Sequence, residues 1–245
     1  MEFAALREEM VDSLEHDTKA VVQARPTGTA MRAVPRHEFV DAGHRAYTDQ
    51  AFEHRGTRVL APSTVGRLVD ALAPERGDDV LVVGAGVGYT AAVLAEIVGG
   101  EHVHAVDIDR RVVYDARDHL ASAGYGDVLV DCRDGADGLP EYAPFDRVLV
   151  EAAAVAPPPA LCDQLVDGGR LVYPEGATNQ RLVAVEGGEV ASVHGPAAFA
   201  PLLVDGEQAS AVERNRTVRE DRERAARAAE SRAGWEHEWI DWDGR

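Results

Sequence analysis

The chain has 245 residues, 45% of them hydrophobic, enough to bury a core as one large α/β domain or two small ones. No run of about 18 apolar residues occurs, so no membrane span is expected. The formal net charge is −18 and Lys19 is the single lysine, which argues against nucleic acid as the main substrate because phosphate contacts need clustered cations.

The start, MEFAALREEMVDSLEHD, is amphipathic and acidic. It lacks the basic lead and apolar centre of a secretory signal, which points to a cytoplasmic protein. The acidic, lysine-poor composition fits solubility, and it also fits a halophilic source, where screening removes self-repulsion. About the first 45 residues read as helical and end in AVPRHEFVDAGHRAYTDQAF, whose prolines, aromatics and charges fit no regular element. Pro62 and Ser63 can start a helix, STVGRLVDALAPERG, that runs to a Pro-Gly stop.

An alternation follows. DDVLVVGAG reads as a strand, GYTAAVLAEIVG as a helix, EHVHAVDID as a strand and RRVVYDARDHLASAG as a helix. DVLVDCRDG and FDRVLVEAA read as strands, PPALCDQLVDGG as a helix, and RLVYPEG follows. The Glu-Gly-Gly-Glu at the centre of RLVAVEGGEVASVHG predicts a hairpin, hence an antiparallel strand at an edge. Short apolar strands separated by helices of about 10 to 15 residues predict a doubly wound, mostly parallel sheet. Pro157 to Pro159 shape the entry to the helix after the fourth strand. Near Val204 the composition turns to charge and alanine, predicting a solvated helix. Beyond it, Trp235, Trp239 and Trp242 recur at helical spacing, a stripe that would dock on the body or on a second copy. The expected divisions are 1–75, a helical and lid region; 76–204, a core; and 205–245, an acidic extension.

Cys132 and Cys162 sit beside apolar residues without CxxC spacing and read as buried reduced thiols. His102 and His104 share a strand face but have no Cys or carboxylate companion at ligand spacing, so no metal is expected.

The glycine turn carries the first functional signal. A strand leading through glycines into a helix aims backbone N–H groups and the helix dipole at one point. Gly84, Gly86 and Gly88 form G-x-G-x-G, with Tyr89 where a dinucleotide fold would place its third glycine. Asp107 lies 23 positions after Gly84, close to the spacing of about 20 for a carboxylate on ribose hydroxyls. One strand later, Asp134 can accept from an adenine amino group. Either aspartate also fits a cap or turn role.

These residues resemble the class I S-adenosylmethionine-dependent methyltransferases. MRAVPRHEFV, AYTDQAF, VLVVGAGVGYTAAVLAEIVG, APFDRVLVEAAA, LVDGGRLVYPEG and FAPLL occur in the order and spacing of protein-L-isoaspartate O-methyltransferases. The resemblance runs from about Met31 to Leu203. It implies a seven-stranded Rossmann-like sheet with helices on both faces, S-adenosylmethionine as cofactor, and methyl transfer to the carboxylate of L-isoaspartyl residues in damaged proteins. It assigns the cofactor to Gly84, Ala85, Gly86, Gly88, Tyr89, Asp107, Ile108, Asp134 and Gly135. It assigns the substrate to Arg36, His37, Ser63 and Ala200, with Arg36 and His37 equally able to brace a lid. Leu60 stands where the family has a serine facing the reacting centre, and Asp49 is a candidate catalytic group.

A carboxylate acceptor is ionised at neutral pH and needs no base, so alignment and exclusion of water suffice. A hydroxyl or amine acceptor would want one; Asp49, His54 and Glu151 are the candidates. Leu60, Ser63 and Val82 depart from the family pattern, which usually has serine, an aromatic or histidine, and glutamate there. The leading expectation is therefore isoaspartyl repair. The alternatives are a methyltransferase with another acceptor and a non-catalytic module that keeps the pocket. A nicotinamide oxidoreductase fits least, because no hydride-transfer constellation is visible.

Overall fold

A computed structural model of the chain describes residues 2–203. The tryptophan stripe and the extension over 205–245 lie outside the described residues.

The N-terminal part is helical, as its composition predicts. Helix α1 covers Glu2–Glu15 and α2 covers Arg25–Ala33, with Pro26 in its first turn. Arg32 joins the two by pairing with Glu8, Asp12 and Glu15 of α1. Two 3₁₀ turns, Arg36–Glu38 and Gly43–Tyr47, carry the chain through the segment that fits no regular element. A short hairpin follows, β1 (Phe52–His54) and β2 (Thr57–Val59). Its two-residue turn places Arg55 at φ 47 and Gly56 at φ 80, the doubly left-handed turn that matches strand twist. Helix α3 (Pro62–Leu72) begins at Pro62 and ends before Pro74, because Ala73 turns left-handed at φ 49.

The alternating region forms β3 (Val80–Val83), α4 (Tyr89–Val98), β4 (Val103–Asp107), α5 (Arg110–Ala123), β5 (Leu129–Cys132), β6 (Phe145–Val150), α6 (Pro159–Asp163), β7 (Leu165–Glu175), β8 (Gln180–Glu186) and β9 (Glu189–Ala197). The last seven strands make one sheet in the order β5-β4-β3-β6-β7-β8-β9. The pairs β3–β4, β3–β6, β4–β5 and β6–β7 are parallel; β7–β8 and β8–β9 are antiparallel. Gly187 and Gly188 make the expected hairpin turn between β8 and β9 at φ 57 and φ 81.

Every residue of β3 is buried, as expected for a parallel strand covered on both faces. Strand alternation sends Val80 and Val82 into a core with α1 to α5, and Leu81 and Val83 into a second core with Phe145 and Leu161. The chain winds outward through β4 and β5, then returns to place β6 on the other side of β3. Such a reversal leaves a crevice at the carboxyl ends of β3, β4 and β6, where open α/β sheets bind ligands.

Two expectations need correction. The helix over PPALCDQLVDGG shortens to α6, and from Leu165 the chain is already β7, since pairing with β6 and β8 outweighs local pattern and glycines 168 and 169 disfavour a helix. Cys132 is exposed rather than buried, because it ends the edge strand β5; Cys162 is half-buried, and both thiols are free. His102 pairs with Asp79 at 2.8 Å, while His104 packs on Tyr142 and Phe145. Among the described residues no group of three or more His, Cys, Asp or Glu is placed to hold a metal, and no helix is long and apolar enough to cross a membrane.

Candidate active site

The turn after β3 is built by glycine. Gly84, Gly86 and Gly88 adopt φ 92, 53 and 91, a region that side chains rarely enter. The N–H groups of Gly84 and Ala85 both donate to the Val106 carbonyl, at 2.8 and 2.9 Å, which pins the turn to β4. Gly88 then leads into α4, with buried Tyr89 at its first position.

Asp107, at the end of β4, locks the same turn. Its Oδ2 accepts from the Gly86 N–H and its Oδ1 from the Asp109 N–H, each at 3.0 Å. A carboxylate has about four lone-pair positions, so both oxygens keep capacity for ligand hydroxyls. Burial raises its pKa, against the pull of those N–H donors. Ile108 follows, half-buried, its carbonyl 3.9 Å from Cys132 Sγ. After β5, Asp134 accepts from the Ala136 N–H at 2.8 Å, and a Cβ on Gly135 would overlap Val83 Cγ1. The structure thus gathers the sequence-predicted cofactor residues at the carboxyl ends of β3, β4 and β5.

On the other side, Arg36 is 0% exposed. Its Nε donates to the Ala46 carbonyl at 2.9 Å and its Nη2 to the Leu60 carbonyl at 2.7 Å, while the guanidinium lies 4.6 Å from the Tyr89 ring centroid. These contacts brace the backbone at Ala46 and Leu60. His37 bonds the Tyr47 hydroxyl at 2.6 Å and stacks on Phe3 at 4.1 Å, facing α1. Asp49 accepts from the Ser63 N–H at 2.9 Å and so caps the first turn of α3. His54 bonds Asp115 of α5 at 2.7 Å, beside Arg55 on the same carboxylate. The Ala200 carbonyl accepts from the Ala153 N–H at 2.8 Å, laying the FAPLL segment against the chain after β6.

Leu60, only 8% exposed, lines a cavity of about 20 Å³ with Arg36, Arg58, Gly86, Tyr89, Thr90 and Glu151. His37, Asp49, Ser63 and Ala200 do not line it. Three polar atoms there are buried without a hydrogen-bond partner: Arg36 Nη1, Tyr89 Oη and Glu151 Oε1. Glu151 as a residue keeps intermediate exposure, yet this oxygen is closed off from solvent. Burial pushes its carboxyl up to about 8; Thr90 lowers it and the Asp107 charge raises it further. The Tyr89 hydroxyl is likewise pushed up by burial, to about 12. Thr90, although inside the quoted glycine-turn segment, and Arg58, outside the quoted segments, were given no role from the sequence. Only their place beside the glycine turn gives them away.

Comparison with known proteins decides the family. The family described as Protein-L-isoaspartate(D-aspartate) O-methyltransferase (PCMT) matches residues 5–204. The chain belongs to this family. A protein-L-isoaspartate O-methyltransferase of Bordetella parapertussis is 45% identical over 186 residues, covering 74% of this chain and 70% of that one. One from Aeropyrum pernix is 41% identical over 181 residues, covering 72% and 69%. One from Methanocella arvoryzae is 42% identical, covering 71% and 96%. Among solved structures, a protein-L-isoaspartate O-methyltransferase superposes with a TM-score of 0.70 at 23% identity, over 80% of this chain and 65% of that one. Another, from Plasmodium falciparum in complex with S-adenosyl-L-homocysteine, superposes with 0.72 at 18% identity, over 80% and 98%. At such identities the structures establish the shared fold.

Proposed function

We propose that the chain transfers a methyl group from S-adenosylmethionine to the carboxylate of L-isoaspartyl residues in damaged proteins. The observation that carries this reading is the clamp of Asp107 on the glycine turn, set at the sheet's reversal point in a chain of this family. Gly84 to Gly88 and Tyr89 would take the methionine part of the cofactor, Asp107 with Ile108 the ribose, and Asp134 with Gly135 the adenine. Bound there, the cofactor supplies an electrophilic methyl on a sulfonium. Residues 76–204 act as this cofactor core, and residues 1–75 supply the cover.

The protein's own share is alignment and the exclusion of water. Arg36 holds the backbone at Leu60 and Ala46, so the wall facing the glycine turn keeps its shape. Leu60 makes that wall apolar and keeps water out. No base is needed for an acceptor that is ionised at neutral pH. His54 and Asp49 are each committed to hydrogen bonds elsewhere, which supports a carboxylate acceptor.

The test is transfer of labelled methyl to an L-isoaspartyl peptide, against the same peptide with normal aspartate, at low and molar salt. Label on the isoaspartyl peptide alone is the expected result. Leu60 favours one second reading, a different acceptor, since it offers no hydroxyl where the family has serine. Label on neither peptide, with S-adenosylhomocysteine binding shown by calorimetry, would overturn the isoaspartyl reading.

A further inference from the structure

A larger groove, of about 260 Å³, lies between α3, β8, β9 and the FAPLL segment. Arg58 lines both this groove and the cavity at the glycine turn, so the two adjoin at the end of β2. Its volume falls below the range of about 300–1,000 Å³ of sites for whole small molecules, and suits one or two side chains of a peptide. One wall is fixed by Gln180, which accepts from the Phe199 N–H at 2.6 Å and donates to the Phe199 carbonyl at 2.9 Å. The next residue, Ala200, bonds the chain after β6, so this wall too leads back to the active site.

The floor is apolar and the rim is cationic. Leu68 and Leu182 line the groove and are buried. Arg58 donates from Nη1 to the Ala198 carbonyl at 3.3 Å, and Arg67 of α3 donates from Nη2 to the carbonyls of His194 and Pro196 at 3.0 and 2.7 Å. The carbonyls of Pro196 and Ala198 are two residues apart, a span of at most about 7 Å, so both guanidiniums are held along one short stretch of chain. Elsewhere Arg32, Arg133, Arg147, Arg170 and Arg181 are neutralised by carboxylates. Arg58 and Arg67 meet only uncharged carbonyls, and among the described residues no carboxylate lines the groove. Glu53 stands opposite Arg58 in the hairpin register without an ion pair, and Asp70 Oδ2, one turn along α3 from Arg67, accepts from the Gln23 and Ala24 N–H groups. A guanidinium has five N–H donors, so both arginines keep donors for a guest.

Resting on the isoaspartyl reading above, we propose that the groove holds an acidic side chain of the substrate, close in sequence to the isoaspartyl residue, with Arg58 and Arg67 as the residues that select it. A peptide that reaches the glycine turn past Leu60 passes Arg58, and its neighbouring residues lie along the groove. Glutamate suits the lining best, because its methylenes cover the apolar floor while its carboxylate meets the two cations at the rim. Long-range charge works the other way: a chain of net charge −18 attracts a basic peptide and repels an acidic one. A preference for glutamate therefore has to come from a local site.

The test uses L-isoaspartyl peptides that carry glutamate, glutamine or lysine at one of the three positions on either side of the isoaspartyl residue, with label transfer read as kcat/KM. At one of these positions glutamate should exceed lysine by about tenfold at 0.1 M salt, with glutamine between them, and the ratio should shrink at 1 M as screening sets in. The difference should lie mainly in KM, since the groove binds a residue that does not react. The glutamate-to-lysine ratio is then measured within each variant, so that any loss of folded protein cancels. Arg67→Lys should keep the preference, Arg67→Gln should bring the ratio close to one, and Arg67→Glu should invert it.

Ratios within twofold of one at every position in the wild-type chain would overturn the proposal. So would a glutamate preference that survives unchanged in both Arg67→Gln and Arg67→Glu. In either case label still reaches the isoaspartyl peptides, and the isoaspartyl reading stands. Label on none of the peptides with the wild-type chain overturns that reading, and this inference with it.

Discussion

Arg36 shows what a single buried residue can hold in place. It is fully buried, spends two of its donors on the carbonyls of Ala46 and Leu60, and lies over Tyr89. Burial lowers its pKa, and Tyr89 is the main group opposing that shift. A lysine keeps the charge but is a point donor that cannot span two carbonyls from a planar fork. Arg36→Lys should cost about 2–3 kcal/mol, which for a unit of this size means a melting temperature lower by roughly 5–10 °C. Calorimetry checks this, and a loss under 2 °C would show the brace to be dispensable. The same residue marks how far sequence reading reaches: Pro-Arg-His is visible as a motif, but whether the guanidinium faces substrate or backbone depends on two carbonyls 10 and 24 positions away.

Among the elements, the start of α3 carries the clearest expectation. Asp49 reaches across from the preceding loop to the Ser63 N–H, and Ala61, at the N-cap itself, provides no side-chain bond. Asp49→Ala should therefore lower stability by about 1 kcal/mol through the loss of this cap, with kcat on an isoaspartyl peptide falling less than twofold. A hundredfold loss of kcat in a folded variant would instead make Asp49 part of the chemistry. The parallel strands were legible because β3 is an unbroken apolar run and β4 and β6 are short, mostly apolar segments between helical ones, and the β8–β9 hairpin because two adjacent glycines interrupt its strands. The β1–β2 hairpin was not: FEHRGTRV has only Gly56 as a turn signal, and its strands are three residues each. Nor was the early start of β7, which is set by partners on both sides rather than by its own residues. The closing-off of Glu151 Oε1 from solvent is set by its surroundings, and no local pattern encodes it.

Over the whole molecule, a net charge of −18 is the dominant long-range force. The Debye length shrinks from about 10 Å at 0.1 M salt to about 3 Å at 1 M. Self-repulsion should therefore ease, raising stability by about 1–2 kcal/mol and the melting temperature by several degrees between those concentrations. Partial loss of the Arg32 pairs with Glu8, Asp12 and Glu15 works in the opposite direction. A melting temperature that falls on adding salt would show that these pairs outweigh the net charge. Two distant parts of the described chain also come to the end of β6: Leu60 lines the cavity that Glu151 lines, and Ala153 exchanges hydrogen bonds with Ala200 and Leu202. A ribosome delivers these parts in order, N-terminal first, at about 5–20 residues per second. The wall around Arg36 is made early, but the segment that pairs with Ala153 follows Leu60 by about 140 residues, on the order of 7–28 s later. Until then the chain after β6 lacks the backbone partners that the finished fold gives Ala153.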